Sequence, residues 1–354
     1  MMLDLSYYRN KYAYKHTDTF LGRGVNLGNF LEAPVDYGYP LGEGRWTGGR
    51  IIQQSDFVRI KTAGFKSVRI PIRWSAHASL TGPDYRIDKA FVTRVKQVVD
   101  WAMAENLNVV INCHHYEPMM DSADPAPLAT HKERLAAIWN QICTLFPAPA
   151  YTTDRLVFEL LNEPVGRVGS DEWAAIIDNL TTVIWRDNAD TQIERKIIVG
   201  TINWGSITGL ESLTLPDVCN RFNTIITIHY YEPFSFTHQG ANWVAGSSDW
   251  CGTPWTGSAS DQQPILEHLE SIMSWNAAPE RGFEIYIGEF GVYSQYADPA
   301  CQQAWTAFIA REAEKRKMSW AYWEYAAGFG AYNPQTNIWR EPLLQALIPS
   351  ENRT

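Results

Sequence analysis

Along the chain, short apolar runs rich in β-branched residues alternate with segments whose apolar positions recur at helical spacing. Eight such runs stand out: RGVNLGN (23–29), FKSVRIPI (65–72), NVVINCHH (108–115), RLVFELLNE (155–163), KIIVGTINW (196–204), NTIITIHYY (223–231), EIYIGEFG (284–291) and SWAYWEYAAG (319–328). Most are nearly continuous in hydrophobicity, the pattern of parallel strands covered on both faces. Between them Phe91, Val95, Val98, Val99 and Ala102 fall on one helical stripe. So do Leu135, Ile138, Trp139 and Ile142, and further on Trp305, Phe308 and Ile309.

Eight β-then-α units without a Gly/Ser linker or a second compositional zone predict one α/β domain, a single (β/α)8 barrel of the TIM type. It is expected over residues 21–350, after an N-terminal extension at 1–20. An open doubly wound sheet is the alternative, but no GxGxxG follows an early strand. The longest interruption, about 230–262, is too rich in Trp and Gly for a helix. A loop of that length at the top of a barrel is read as one wall of a cleft.

In such a barrel, chemistry is built at the carboxyl ends of the strands. That rule selects Asn29 and Glu32 after the first run, Arg69 with Arg73 and Trp74 at the second, and His114 and His115 at the third. Asn162 and Glu163 end the fourth, Trp204 the fifth, and His229, Tyr230 and Tyr231 the sixth. Glu289 ends the seventh; Trp323 and Glu324 belong to the eighth.

Glu163 and Glu289, on opposed strands, would meet only if the barrel closes. Two carboxyls among imidazole and hydroxyl groups suit glycoside hydrolysis, one protonating the leaving oxygen while the other attacks the anomeric carbon or activates water. A lone glutamate at a strand end is more often a cap or an ion-pair partner; two in matched positions favour chemistry. Arg69 is expected to pair with Glu159 or Glu289 and to hold a carboxylate ionised. His114 and His115 are adjacent on a strand and should face opposite ways, and neither HxH nor HExxH occurs, so no metal site is expected. A serine nucleophile is not supported, for no GxSxG occurs.

Composition narrows the partners. The formal net charge of −9 disfavours nucleic acid and anionic membranes. Fifteen tryptophans exceed what a core needs and would serve as platforms for sugar rings. Five scattered cysteines with no CxxC predict structural thiols rather than a disulfide framework. The polar N-terminus lacks the apolar core of a signal peptide, so either the protein works inside the cell or its leader is not in this chain. No cofactor is expected, and a monomer is.

With these residues in hand, the chain resembles glycoside hydrolase family 5. The likeness rests on GRGVNLGNFLEAP (22–34), GFKSVRIPIRW (64–74), VVINCHHYE (109–117), FELLNEP (158–164), TIHYYEPFSFTHQGANW (227–243), YIGEFG (286–291) and SWAYWEYAAGFG (319–330). It implies endo-acting retaining hydrolysis of β-1,4-glucans, in cellulose-type or mixed-linkage substrates, with Glu163 as acid/base and Glu289 as nucleophile. Asn162 would bind the 2-hydroxyl beside the scissile bond; Arg69, His229 and Tyr231 would tune the glutamates. His114 and Trp323 would hold the attacked sugar, and Asn29, Glu32, His115, Trp204 and Trp243 would line the glycone side. Glu163 should then have a raised pKa and Glu289 should stay ionised. Rival readings are a β-mannanase, glucomannanase or xyloglucanase with the same pair, and a carbohydrate-binding barrel without activity.

Overall fold

The structure, a computed structural model, describes residues 19–353. The expected 1–20 extension therefore lies, but for its last two residues, outside the described residues. Eight parallel strands close into a barrel in chain order. They are β1 (Arg23–Asn26), β2 (Ser67–Ile70), β3 (Asn108–Asn112), β4 (Leu156–Glu159), β5 (Ile197–Gly200), β6 (Thr224–His229), β7 (Glu284–Phe290) and β8 (Ser319–Tyr322). Each lies inside one of the eight apolar runs but is shorter, so most of the polar residues that end each run sit past the strand, on its outgoing loop.

The principal helices are α1 (Gln54–Thr62), α2 (Lys89–Ala104), α3 (Leu128–Leu145), α4 (Ser170–Thr182), α5 (Ala259–Asn276), α6 (Pro299–Lys315) and α7 (Glu341–Leu347). After β5 the chain departs from the βα rule. Only the short turns Ile202–Gly205 and Ile207–Leu210 intervene before β6, where Gly205, Gly209 and Pro216 discourage a longer helix. Several starts are capped: Asp88 accepts from Phe91 N, and Ser258 and Asp261 form a capping box. The apolar stripes read from the sequence face the strands, and Phe91, Val95, Val98, Val99, Leu135, Ile138, Trp305 and Ile309 are all buried.

The barrel interior follows the two-residue period of its strands. A lower layer packs Val110, Val157, Ile198, Ile225 and Tyr286. Two residues further along the strands the inward positions become polar: Asn112 above Val110, Glu159 above Val157 and Thr227 above Ile225. The apolar floor fixes the barrel, and the polar layer above it starts the site. No helix among the described residues is long and apolar enough to cross a membrane. All five cysteines are free.

Candidate active site

Arg69, inside the barrel and fully buried, organises the polar layer. Its Nε and Nη2 donate to the two oxygens of Glu159 at 2.6 and 3.1 Å. Nη1 donates to Glu289 Oε1 at 2.7 Å and to Asn26 Oδ1 at 2.9 Å, while Nη2 also reaches Asn162 Oδ1 at 2.7 Å. All five guanidinium hydrogens thus have acceptors, which is what a buried arginine requires. The pairing expected with Glu159 or Glu289 is made with both. Because Asn162 accepts through its oxygen, its NH2 group is the end turned away from Arg69.

Glu289 reaches the mouth through an irregularity in β7. Ile228 pairs with Ile287, but His229 pairs with Glu289, so Gly288 is an extra residue in a β-bulge. A bulge re-aims the side chain beside it; here it sets Glu289 alongside His229. The second oxygen of Glu289 accepts from the Tyr231 hydroxyl at 2.9 Å. Glu163 arrives from the opposite side on the loop after β4, with a left-handed backbone (φ 46°). His115 (φ 52°), Asn29 (φ 69°) and Trp204 (φ 60°) share that conformation, which costs a residue with a Cβ about 1–2 kcal/mol. Such strain concentrates where a loop must aim a side chain.

His229 joins the two glutamates. Its Nδ1 lies 2.7 Å from Glu163 Oε1 and 3.6 Å from Glu289 Oε2. One oxygen from each glutamate and a ring nitrogen of His229 all fall within 4.8 Å of one another. The Arg69 guanidinium already sits on Glu289, so the cluster carries one fixed positive charge beside its two carboxyls. Carboxyl oxygens this close suit a retaining pair, whose separation is about 5 to 5.5 Å, better than the roughly 6.5–9.5 Å that admits a water between them.

The electrostatics correct the expected division between the two acids. Burial opposes ionisation of Glu163, but the hydrogen bond and charge of His229 outweigh it and hold the carboxyl below its ordinary value. Burial wins at Glu289, which is raised despite His229 and Arg69. His229 is itself buried, yet the two carboxylates raise its pKa. Across the 2.7 Å contact His229 is therefore the more basic partner and Glu163 the more acidic one.

His114 is oriented just as firmly. Asn112 Oδ1 accepts from Ile72 N at 3.2 Å, so the Asn112 NH2 faces His114 Nδ1 at 3.0 Å. Nδ1 must accept, leaving the proton on Nε2. Burial and the neighbouring His115 and Arg69 hold the ring neutral. The expectation that His114 and His115 face opposite ways is not met. Both lie past the end of β3, and the left-handed turn at His115 brings the rings into edge contact with centroids 4.4 Å apart. The His114 plane lies within 7° of the Trp323 indole. Gly28 makes room for that indole, since a Cβ there would stand 2.7 Å from its Cη2.

Burial removes one expected ligand contact. Glu32 is fully buried, and its carboxyl accepts from the backbone N–H groups of Asn29 and Phe30. It braces the loop that carries Asn29 and has no surface to offer a sugar. Burial lifts its pKa to about 8. Trp204, 63% exposed, follows β5, which stands across the closed barrel from β1 and Asn29. Trp204 therefore stands on the side of Glu163 and across the barrel mouth from Asn29. Gly205 completes that turn at φ 72° and abuts the His229 ring, which a Cβ would meet at 3.1 Å.

Trp243 packs against Tyr293 with ring centroids 4.9 Å apart and is 58% exposed. The expected cleft wall at 230–262 is built by this segment and by His238, which touches the Tyr231, Trp243 and Phe329 rings. His238 and Phe329 are not among the residues expected from the sequence: His238 stands away from any run end, and Phe329 directly follows the eighth run but carries no polar group; the THQGANW motif was the available signal for His238. Asn26 is a further addition, whose role as a partner of Arg69 appears only when β1 and β2 pair.

The profile described as Cellulase (glycosyl hydrolase family 5) matches residues 32–328. The chain belongs to glycoside hydrolase family 5. Among its relatives in the family, Endoglucanase H of Acetivibrio thermocellus is 33% identical over 93% of this chain, which spans only 33% of that longer protein. The crystal structure of endoglucanase Cel5A from the hyperthermophilic Thermotoga maritima superimposes with a TM-score of 0.82 at 44% identity, covering 93% of this chain and 97% of the other. The same Cel5A has been solved with mannotriose, at 43% identity, a TM-score of 0.82 and coverage of 93% and 98%. The family 5 barrel and the two-glutamate arrangement thus coincide in one chain.

Proposed function

We propose that this family 5 enzyme is an endo-acting, retaining β-1,4-glucanase in which Glu163 is the acid/base and Glu289 the nucleophile. The observation that carries the reading is the placement of both carboxyls and His229 within 4.8 Å. Glu289 attacks the anomeric carbon as Glu163 donates a proton to the glycosidic oxygen, and the C–O bond breaks to leave a glycosyl ester on Glu289. Glu163, now a carboxylate, takes a proton from water, whose oxygen attacks the same carbon and frees Glu289.

The proton needed in the first step is held at His229, 2.7 Å from Glu163. Passage across that contact arms the acid when the leaving oxygen arrives. Arg69 and Tyr231 hold Glu289 in its attacking position. Asn162 offers its NH2 to the neighbouring hydroxyl, and the neutral His114 offers Nε2–H. Trp323 gives the apolar face of the sugar a surface. Exposed indoles at Trp204 and Trp243 support a groove open to more than one ring, hence internal cleavage.

A second substrate, β-1,4-mannan, is supported by the Thermotoga maritima Cel5A structure with mannotriose. Incubation with cello- and manno-oligosaccharides, followed by chromatography of the products, tests the reading. Internal cleavage of cello-oligosaccharides is expected. Glu163→Gln and Glu289→Gln should each lower turnover by about 10³-fold or more on natural substrate. Ordinary turnover in either variant overturns the assignment, and a wild-type protein that binds oligosaccharide without releasing reducing ends would be a binding barrel.

A further inference from the structure

Arg167 lies outside every apolar run, four residues beyond Glu163 on the loop that follows β4. Its guanidinium grips the backbone of another loop, the one that follows β3. Nε donates to Met119 O at 3.1 Å, and Nη2 to Pro118 O at 2.6 Å. Nη1 donates to Ala126 O at 3.0 Å and to Asp124 O at 3.4 Å. Nη2 also stands 3.6 Å from the Asp124 carboxylate. The main chain joins the clamp: Arg167 N donates to Met120 O at 3.1 Å, and Gly166 (φ 67°) lies so close that a Cβ would meet that oxygen at 2.2 Å. A planar fork that reaches several carbonyls at once is available to arginine and not to lysine.

The segment it grips is itself anchored. His131 spans it, with Nε2 3.1 Å from Asp124 Oδ1 and Nδ1 3.1 Å from the Tyr116 hydroxyl. Arg134 donates to the same hydroxyl at 3.1 Å and to Ser75 O and Ala78 O at 2.7 and 2.6 Å. Tyr116 directly follows His115, so the clamp joins the Glu163 loop to a braced part of the barrel mouth.

Glu163 needs such a hold. Glu289 is a strand residue fixed by Arg69 and Tyr231, whereas Glu163 stands on a loop with a left-handed backbone. That conformation persists only where the surroundings over-determine it. Before Glu163 the restraint is Asn162 N, which donates to Cys113 O at 2.9 Å; after it, the restraint is the Arg167 clamp. Beyond burial, the main influences on the Glu163 carboxyl are His229, His115 and Arg69, so what Arg167 contributes is placement rather than charge.

We propose that Arg167 is a positioning residue for the proton donor: its clamp on residues 118–126 holds the Glu163 loop where the carboxyl meets the leaving oxygen. The proposal rests on the reading of Glu163 as the acid/base. Without the fork the carboxyl is aligned with the leaving oxygen in a smaller share of encounters, and the loss falls on leaving groups that need a proton.

The test compares kcat/KM, which reads the first bond cleavage, on two substrates with the same sugar. The phenolate of phenyl β-cellobioside leaves poorly without a proton; that of 2,4-dinitrophenyl β-cellobioside needs none. Arg167→Ala should lower kcat/KM on the phenyl glycoside about tenfold and leave the dinitrophenyl glycoside within about twofold of wild type. Arg167→Lys keeps the charge without the fork, so it should behave the same way, and it carries the comparison if the alanine variant does not fold. Equal losses on the two glycosides, as from a general defect of folding, overturn the clamp, and so does a phenyl glycoside rate within about twofold of wild type. Glu163→Gln, measured alongside, should lose the phenyl glycoside far more than the dinitrophenyl one. Equal losses in that variant overturn the acid/base reading instead.

Discussion

Among single residues, His229 has the largest consequence for the chemistry, because it contacts both glutamates. Its positive charge is the main influence that lowers Glu289 against burial, and it also holds Glu163 low. Replacing it by asparagine removes that charge. Glu289 should then ionise at higher pH, and the acid limb of kcat/KM, which reports the free enzyme, should move upward. The pH profiles of wild type and His229→Asn would check this; an unmoved acid limb contradicts it. At this scale the sequence revealed identities better than roles. Glu163 and Glu289 were legible because two strand-end carboxylates in matched runs are seldom both caps or ion-pair partners. Glu32 was misread because a glutamate three residues after Asn29 serves equally well as a brace for its own loop, and only its burial separates the two uses. The protonation of the pair was also illegible, since it depends on a 2.7 Å contact between residues 66 positions apart.

At the scale of elements, the strands deliver the site and their irregularities aim it. All eight strands were legible as apolar runs, but their ends were not, because the barrel ladder stops while the sequence remains apolar. Leu160 and Leu161 extend the fourth run beyond β4 and are both buried without belonging to the strand. The bulge at Gly288 was equally hidden. A glycine inside a strand can mark a bulge, yet the shift in pairing that sets His229 against Glu289 requires the neighbouring strand. Gly28 makes the same point just beyond β1. Alanine there would place a Cβ against the Trp323 indole and tilt it off the His114 plane. Gly28→Ala should lower kcat/KM on cello-oligosaccharides about tenfold, with the overall fold retained by circular dichroism. Undiminished kcat/KM would mean that the position of the indole does not matter.

Over the whole molecule, closure of the barrel makes the site, since Glu163 and Glu289 leave different strands and meet only in a ring. Closure also places β1 opposite β5, which separates Asn29 from Trp204 and gives the groove its two ends. The same enclosure buries carboxyls that the chemistry does not use. Burial raises Glu32 to about 8 and Glu324 to about 7, each from an ordinary value of 4.5. In the folded protein they stay protonated in a range where the unfolded chain has released the proton. Their contribution to stability is therefore present below pH 4.5 and is lost as pH rises toward about 8. Thermal melting from about pH 5 to about pH 8 should show a falling midpoint, with a shallower fall in Glu32→Gln. An identical slope in that variant would contradict the assignment.

The central claim is that Glu163 and Glu289 act as a retaining pair on β-1,4-glucan. Proton NMR of cellotetraose during the first minutes of hydrolysis reads it directly, before the new reducing ends mutarotate. A retaining pair releases the β-anomer first, and its signal should then decay toward equilibrium. Initial release of the α-anomer would contradict it.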